Sequence, residues 1–297
     1  MLLVVCPNLA IDRVLVVDNF QQTKVQRSRS LWAQPGGKGS NVARVFRQLG
    51  GDVVLVGFVG RRNGKSITEP LRQMGVQVDA VQAYESESRT CTIVCDPRSG
   101  NHPTVINEES PGIEPGSALK LLAKVERWIP RVDGVLATGS LSSGLPDEFY
   151  AEILDRALSR GKITSIDAVG AVLRIGLLAR PAFMKLNTEE FFQLLHSSNV
   201  SIIPPHTALT FGKAGAALIH DGKCSWARPP RIYDTNPIGS GDAFAAGYLN
   251  RLLHGAAAVD CLRYAMAAAA SDASTLRPGF VDISQVRSLA AEVETTS

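Results

Sequence analysis

Between residues 115 and 187 helix-period segments and short apolar runs alternate without a break. A helical pattern over 117–128 precedes GVLATGS (134–140), another over 146–159 precedes ITSIDA (163–168), and a third over 170–179 precedes AFMKLN (182–187). Strands separated by helices of this length pair in parallel, with each helix as the crossover. The pattern therefore predicts an α/β protein built on a mostly parallel sheet. Upstream, continuous apolar runs at 2–5 (LLVV) and 53–60 (VVLVGFVG) read as strands buried on both faces, with RVLVVD (13–18), VQVDAVQAY (76–84) and TCTIVC (90–95) as further strands. Helical spacing is expected over 41–49 and 67–74, ended by Gly50-Gly51 and Gly75. Downstream, AALIHDGKCSWA (216–227) predicts a hairpin turning on Asp221-Gly222, and 241–253 and 260–275 read as Ala-rich helices. At 297 residues the chain suits one large α/β domain with an appendage. In open parallel sheets ligands bind beyond the carboxyl ends of the strands. Attention therefore falls on the segments after 140, 168 and 187, and on the glycine-rich loop at 239.

Several function classes are excluded as expectations. Net charge is +3 (Lys+Arg 31, Asp+Glu 28) without clustering, so no nucleic-acid partner is expected. No apolar stretch reaches the roughly 20 residues of a membrane span. The first residues, MLLVVCPNLAID, lack the basic region and long apolar core of an export signal. Five scattered cysteines then read as reduced thiols of a cytoplasmic protein. Cys91 and Cys95 share one strand face with no second ligand pair nearby, which favours packing over zinc, and the five histidines show no metal-ligand spacing. GRRNGKS (60–66) imitates a P-loop, but three residues separate Gly60 from Gly64 where that motif needs four. A turn before a helix is the reading that remains.

Two segments carry chemistry. In DTNPIGSGDAFAAGYLNRLLHG (234–255), Gly239, Ser240 and Gly241 precede a helix with small residues at Ala243, Ala245, Ala246 and Gly247. Bare backbone amides at a helix N-terminus suit an anion. Asp242 in the first turn is either a cap or a functional carboxylate. In QPGGKGSNVARVFRQLGG (34–51), Gly36, Gly37 and Gly39 surround Lys38 ahead of a second amphipathic helix that carries Asn41.

Together GGKGSNVARVFRQLGG and NPIGSGDAFAAGYL resemble the two signatures of the ribokinase-like (PfkB) carbohydrate kinases. PNLAID (7–12), TGSLSSGLPDEFY (138–150), LNTEE (186–190) and TFGKAGAAL (210–218) extend the likeness in order along the chain, with the flavour of the hexose-phosphate branch, tagatose-6-phosphate kinase and 1-phosphofructokinase. The resemblance implies a three-layer α/β/α sandwich over 1–297 with a small β-sheet lid formed by roughly 11–33 and 88–107. It implies ATP and Mg²⁺ as cofactors, K⁺ as a further candidate, and a homodimer through the lid. By position, Asp242 would be the catalytic base, with the amides of Gly239, Ser240 and Gly241 as the anion hole. Asp12, Gly37, Asn41 and Ser140 would bind the sugar, while Arg27, Lys38 and Arg89 would hold its phosphate, with Lys24 a further candidate. Asn187, Thr210, Gly212 and Gly215 would lie beside the nucleotide. Asn187 and Glu190 would organise Mg²⁺ through water; the same pair also reads as a capping box.

The chain departs from the pattern in three places. Lys185-Leu186-Asn187 stands where relatives carry Lys-Pro-Asn, and only 22 residues lie between Asn187 and Thr210, with Pro204-Pro205 forbidding one continuous helix there. Ala168 and Val169 replace hydroxyl residues. The expected activity is phosphorylation of a ketohexose phosphate such as tagatose-6-phosphate or fructose-1-phosphate. Two alternatives stay open: a kinase of an unphosphorylated sugar or nucleoside, and a non-catalytic sugar-phosphate sensor.

Overall fold

A computed structural model describes all residues except 86, 99–101, 197–201, 233–235 and 297. The chain opens with β1 (Leu2–Asn8), β2 (Ala10–Val16), β3 (Ser30–Gly36) and α1 (Lys38–Gln48). Next come β4 (Val53–Gly60), α2 (Lys65–Gln73), the short strands β5 (Gln77–Val78) and β6 (Val81–Tyr84), β7 (Thr90–Cys95) and β8 (Thr104–Asn107). The regular α/β stretch follows: α3 (Ser117–Trp128), β9 (Gly134–Thr138), α4 (Phe149–Leu158), β10 (Ile163–Asp167), α5 (Gly170–Leu178), β11 (Phe183–Asn187) and α6 (Thr188–His196). The chain closes with β12 (His206–Thr210), β13 (Ala216–His220), β14 (Lys223–Arg228), α7 (Ser240–Leu252), α8 (Ala258–Ala273), α9 (Ile283–Glu292) and β15 (Glu294–Thr296).

Eleven strands form the central sheet in the order β15-β14-β13-β12-β11-β10-β9-β1-β4-β5, with β6 also on β4. From β12 to β5 every pairing is parallel, and β13, β14 and β15 add an antiparallel edge. All eight residues of β4 and all seven of β1 are buried, as strands covered by helices on both faces must be. One apolar cluster joins the sheet to α1, α7, α8 and α9, and a second joins it to α3, α4 and α5, so the core lies in two layers. Helices α7 and α8 approach closely because Gly247 has no side chain; a Cβ there would stand 2.9 Å from that of Ala268. The hairpin turn sits on Asp221-Gly222, at φ +50° and +71°.

A separate four-stranded sheet has the order β3-β2-β7-β8, with β2 and β7 parallel and both outer pairs antiparallel. It coincides with the segments expected for a lid. Its inner face carries Asp12, Val14, Cys91, Ile93 and Cys95, all buried, which accounts for the two cysteines as packing groups.

One expectation changes. The run 76–84 is two short strands, because Asp79 leaves the ladder to accept hydrogen bonds from Lys124, Arg127 and Trp128. The P-loop look-alike is a turn into α2 whose Gly60 amide already donates to Ser88 Oγ at 2.7 Å. Among the described residues no helix is long and apolar enough to cross a membrane.

Candidate active site

A cavity of about 520 Å³ opens between the carboxyl ends of β1, β9, β10 and β11 and the inner face of the small sheet. The parallel strands bring their C-terminal residues to one rim. The amino ends of α1 and α7 point at the same space, so the fold itself assembles the site.

Asp242 lies in the first turn of α7 and is 7% exposed. The loop before it turns on Gly239, whose φ of +94° is left-handed and whose missing Cβ leaves room for the Gly279 amide, 2.9 Å from where that atom would stand. Asn41 Nδ2 donates to Asp242 Oδ2 at 2.9 Å. Asn41 is itself steadied by Arg44, a fully buried guanidinium that donates to the carbonyls of Pro35 (2.6 Å) and Pro278 (3.0 Å) and to Asn41 Oδ1 (3.4 Å). Burial, and then the charge of Asp167, push Asp242 up to about 6, against the pull of Lys38, the Asn41 hydrogen bond and Lys185.

Asp12, 4% exposed on β2, faces the same cavity. Gly36 makes space for it, since a Cβ at 36 would overlap its carboxylate at 2.0 Å. Burial raises Asp12 to about 6, opposed by Arg44, Arg89 and the Gly37 amide. Arg89 lines the wall beside it, and its Nε is buried without a partner. At the floor, Asn8 Nδ2 donates to Ser140 Oγ at 2.9 Å, and Asn8 Oδ1 is left unpaired.

The opposite wall is a charge cluster. Lys38 Nζ lies 2.7 Å from Asp167 Oδ1 and 3.2 Å from Glu190 Oε1. Lys185, 4% exposed, sits 3.6 Å from Asp167 Oδ2 and 4.0 Å from Glu190 Oε2. Burial opposes the charge on Lys38, but Asp167, Glu190 and Asp242 outweigh it and hold the ammonium above the ordinary lysine range. Asp167 is likewise buried, yet Lys185 and Lys38 keep it below the usual carboxylate range. The capping box is real: the Asn187 amide donates to Glu190 Oε2 and the Glu190 amide to Asn187 Oδ1, both at 2.8 Å.

The oxygen donors here suit Mg²⁺, a hard cation that keeps several waters. Asp167 Oδ2 is buried with no hydrogen-bond partner, and Glu190 stands beside it. Among the described residues no group of three or more His, Cys, Asp or Glu could cage a metal directly.

Of the residues expected at the site, Asp12, Gly37, Lys38, Asn41, Arg89, Ser140, Asn187, Glu190, Gly239, Gly241 and Asp242 do line one cavity. Others do not. Arg27 is exposed on the connection beyond the Val16–Ser30 end of the β2–β3 hairpin, the end remote from Asp12. Lys38 reaches the cavity but spends its charge on Asp167 and Glu190. The Ser240 amide closes a turn onto the Pro237 carbonyl at 3.2 Å, and its hydroxyl donates to Asp272 Oδ2 at 3.3 Å, so Ser240 is committed to the loop itself. Thr210 pairs with Asn187 across β11–β12 and donates to the Leu186 carbonyl, outside the lining; Gly212 is exposed in a short turn, and Gly215 is packed against the Ala227 carbonyl.

Asn8, Asp167 and Lys185 were missed. Asp167 was legible as the last residue of an apolar strand, and Lys185 as a lone charge inside one. Buried Asp272 was missed as well. Burial raises it well above the usual range although it accepts from the amides of Gly279 (2.6 Å) and Phe280 (3.0 Å). The same strap joins the small sheet, because Gln34 on β3 donates to the Pro278 carbonyl at 2.9 Å and accepts from Arg277 at 3.1 Å.

Known structures share this architecture. One described as a possible 1-phosphofructokinase from Thermotoga maritima matches with a TM-score of 0.87 and 20% identity over 99% of this chain and 98% of that one. Phosphofructokinase-2 from Escherichia coli, described in complex with potassium, matches with a TM-score of 0.86 and 18% identity over 98% of each chain. These likenesses carry the ribokinase-like fold. Residues 1–279 match the model of the pfkB family carbohydrate kinases, and over that span the match makes this chain a member of that family.

Proposed function

We propose that the protein transfers the γ-phosphoryl group of ATP to a hydroxyl of a ketohexose phosphate. One observation carries this: Asp242, Asp12 and Arg89 face a single cavity bounded by the amino end of α7 and the small sheet. The acceptor hydroxyl would attack phosphorus, forming its O–P bond as the bond to the β,γ-bridging oxygen breaks. Asp242 takes the hydroxyl proton, and ADP leaves. Asn41 keeps the carboxylate oxygen turned toward the acceptor. No acceptor for the amides of Gly241 and Asp242 is found among the described residues, which leaves them for phosphoryl oxygens. Lys185 lies against the first turn of α7, where a Cβ on Gly241 would stand 3.1 Å from its Nζ. An ammonium beside the positive end of a helix is eased by a phosphate between them. Asp167, Glu190 and Asn187 would hold Mg²⁺ through water; when bound, it neutralises phosphate charge and orients the chain of phosphates.

Asp12 would accept a sugar hydroxyl. Arg89 would meet the phosphate already on the sugar, since its charge is the one lining the cavity without a carboxylate ion pair among the described residues. The small sheet acts as the lid that excludes water. Its outer face exposes Leu31 and Ile106, which supports pairing of lids in a homodimer. Five unpaired cysteines suit the cytoplasm, where thiols stay reduced and ATP is held. Because Arg27 lies away from the cavity and the Lys38 ammonium is engaged by Asp167 and Glu190, a second reading, an unphosphorylated sugar, has support too.

A coupled assay of ADP release over tagatose-6-phosphate, fructose-1-phosphate, fructose-6-phosphate, fructose and adenosine decides. We expect a phosphosugar to give the highest kcat/KM, with Arg89→Ala raising its KM by about tenfold or more, the scale of a lost charge-assisted contact. Preference for fructose, unchanged in Arg89→Ala, would establish the second reading.

A further inference from the structure

We infer that Lys38 gates the metal: its ammonium holds the two carboxylates a divalent cation needs, so the cation enters only with a nucleotide whose phosphates draw the ammonium away. This rests on the kinase reading above. The ammonium stands 2.7 Å from Asp167 Oδ1 and 3.2 Å from Glu190 Oε1, between the two groups best suited to approach a hydrated Mg²⁺. With Lys185 behind, the two carboxylates and two ammoniums offset one another, and Asp242 is left as the one further carboxylate acting on Lys38, a weak pull for a bare divalent ion. Such an ion would meet two like charges a few ångströms away, where Coulomb repulsion is strong.

A metal nucleotide arrives with its own negative charge and removes that obstacle. The two lysines are not equivalent. Lys185 is fixed, its side chain 5% exposed on β11 and packed against α7, while the Lys38 side chain is 31% exposed and extends into open cavity from the first turn of α1. Lys38 also sits at the positive end of α1, a place a cation leaves readily for a nearby anion. Lys38 is thus a stand-in for the metal in the resting site and a phosphate ligand in the loaded one. Linkage makes the coupling reciprocal: nucleotide and metal each raise the other's affinity by one factor.

Mn²⁺ alone, titrated by electron paramagnetic resonance into nucleotide-free full-length protein, tests the gate. Lys38→Met should bind Mn²⁺ about tenfold or more tighter than wild type, within the usual range of site-to-site coupling, whereas Lys38→Arg, which keeps the charge, should bind as weakly as wild type. Equal Mn²⁺ affinity in wild type and Lys38→Met, or tight binding by Lys38→Arg, overturns the gate. Should Lys38→Met fail to fold, Lys38→Gln, which removes the charge but keeps a polar end, answers in its place. Its Mn²⁺ affinity without nucleotide should likewise exceed that of wild type about tenfold, and an affinity equal to wild type overturns the proposal. Acceptor-dependent ADP release by the wild type is read separately. Its absence would remove the kinase reading whatever Mn²⁺ does, and its presence beside a flat Mn²⁺ comparison would remove the gate alone.

Discussion

Two sets of carboxylates face one cavity and are treated in opposite ways. Asp12 and Asp242 are buried with little direct ionic support, and both are pushed up to about 6. Asp167, equally buried, has an ammonium on each side and is held below the usual range. The first pair is set to exchange a proton near neutrality; the second keeps its charge and attracts cations. Acid–base groups and charge-holding groups are told apart by such divergent environments, even when the residue type is the same. Under the kinase reading proposed above, the cavity would divide into an acceptor side that handles protons and a donor side that holds charge.

The largest effect expected to test this division is on turnover. Asp242→Asn should lower kcat by about three orders of magnitude or more, the upper range for loss of a positioned base, with acceptor KM within a few-fold. Near-normal kcat would break the assignment. Next is pH. A base with a native pKa of about 6 is protonated as pH falls through that value, so log kcat/KM should decline below about pH 6, with a slope between about one and two because Asp12 titrates in the same range. A flat profile down to pH 5 would mean that Asp242 stays ionised.

Stability then separates the two sets by sign. Asp167→Asn strips Lys185 and Lys38 of their counter-charge and should destabilise the fold by about 3 kcal/mol, read from urea unfolding at pH 7.5. Asp12→Asn should act the other way. The native pKa of Asp12 lies above its unfolded value, so the native state binds more protons between about pH 4 and 6, and the stabilisation present at low pH is lost as pH rises through that window. Removing the charge should therefore stabilise by about 2 kcal/mol at pH 7.5 and by little at pH 4. Same-signed changes in the two variants would dissolve the contrast. The smallest effect belongs to Ser240→Ala: its hydroxyl faces Asp272, so the loss should be about 1 kcal/mol of stability, with kcat within about threefold.

How much of this was legible follows from where each signal resides. The limits of β4 and α3 were read to the residue, because burial and period are written into consecutive positions. The loop at 239–242 was legible because its backbone demands glycine next to the one carboxylate. Lys38 was legible as a cation of the cavity, but its carboxylate neighbours were not, since Asp167 and Glu190 lie 129 and 152 residues away and only folding introduces them. Arg27 misled for the same reason. Nothing local says that the β2–β3 connection projects away from Asp12. Thr210, Gly212 and Gly215 owe their places to strand pairing and turn packing, which short-range pattern does not distinguish from ligand contact.

The strap from Arg277 to Phe280 touches both halves of the molecule at once. Its Pro278 carbonyl is gripped by Gln34 of the small sheet and by Arg44 beneath Asn41, while Asp272 pins its next two amides and the hydroxyl of Ser240. If the small sheet closes over an acceptor as proposed, it would drag on the peptide that frames the amino end of α7. Four residues of backbone would then link the arrival of a sugar to the shape of the loop ahead of Asp242.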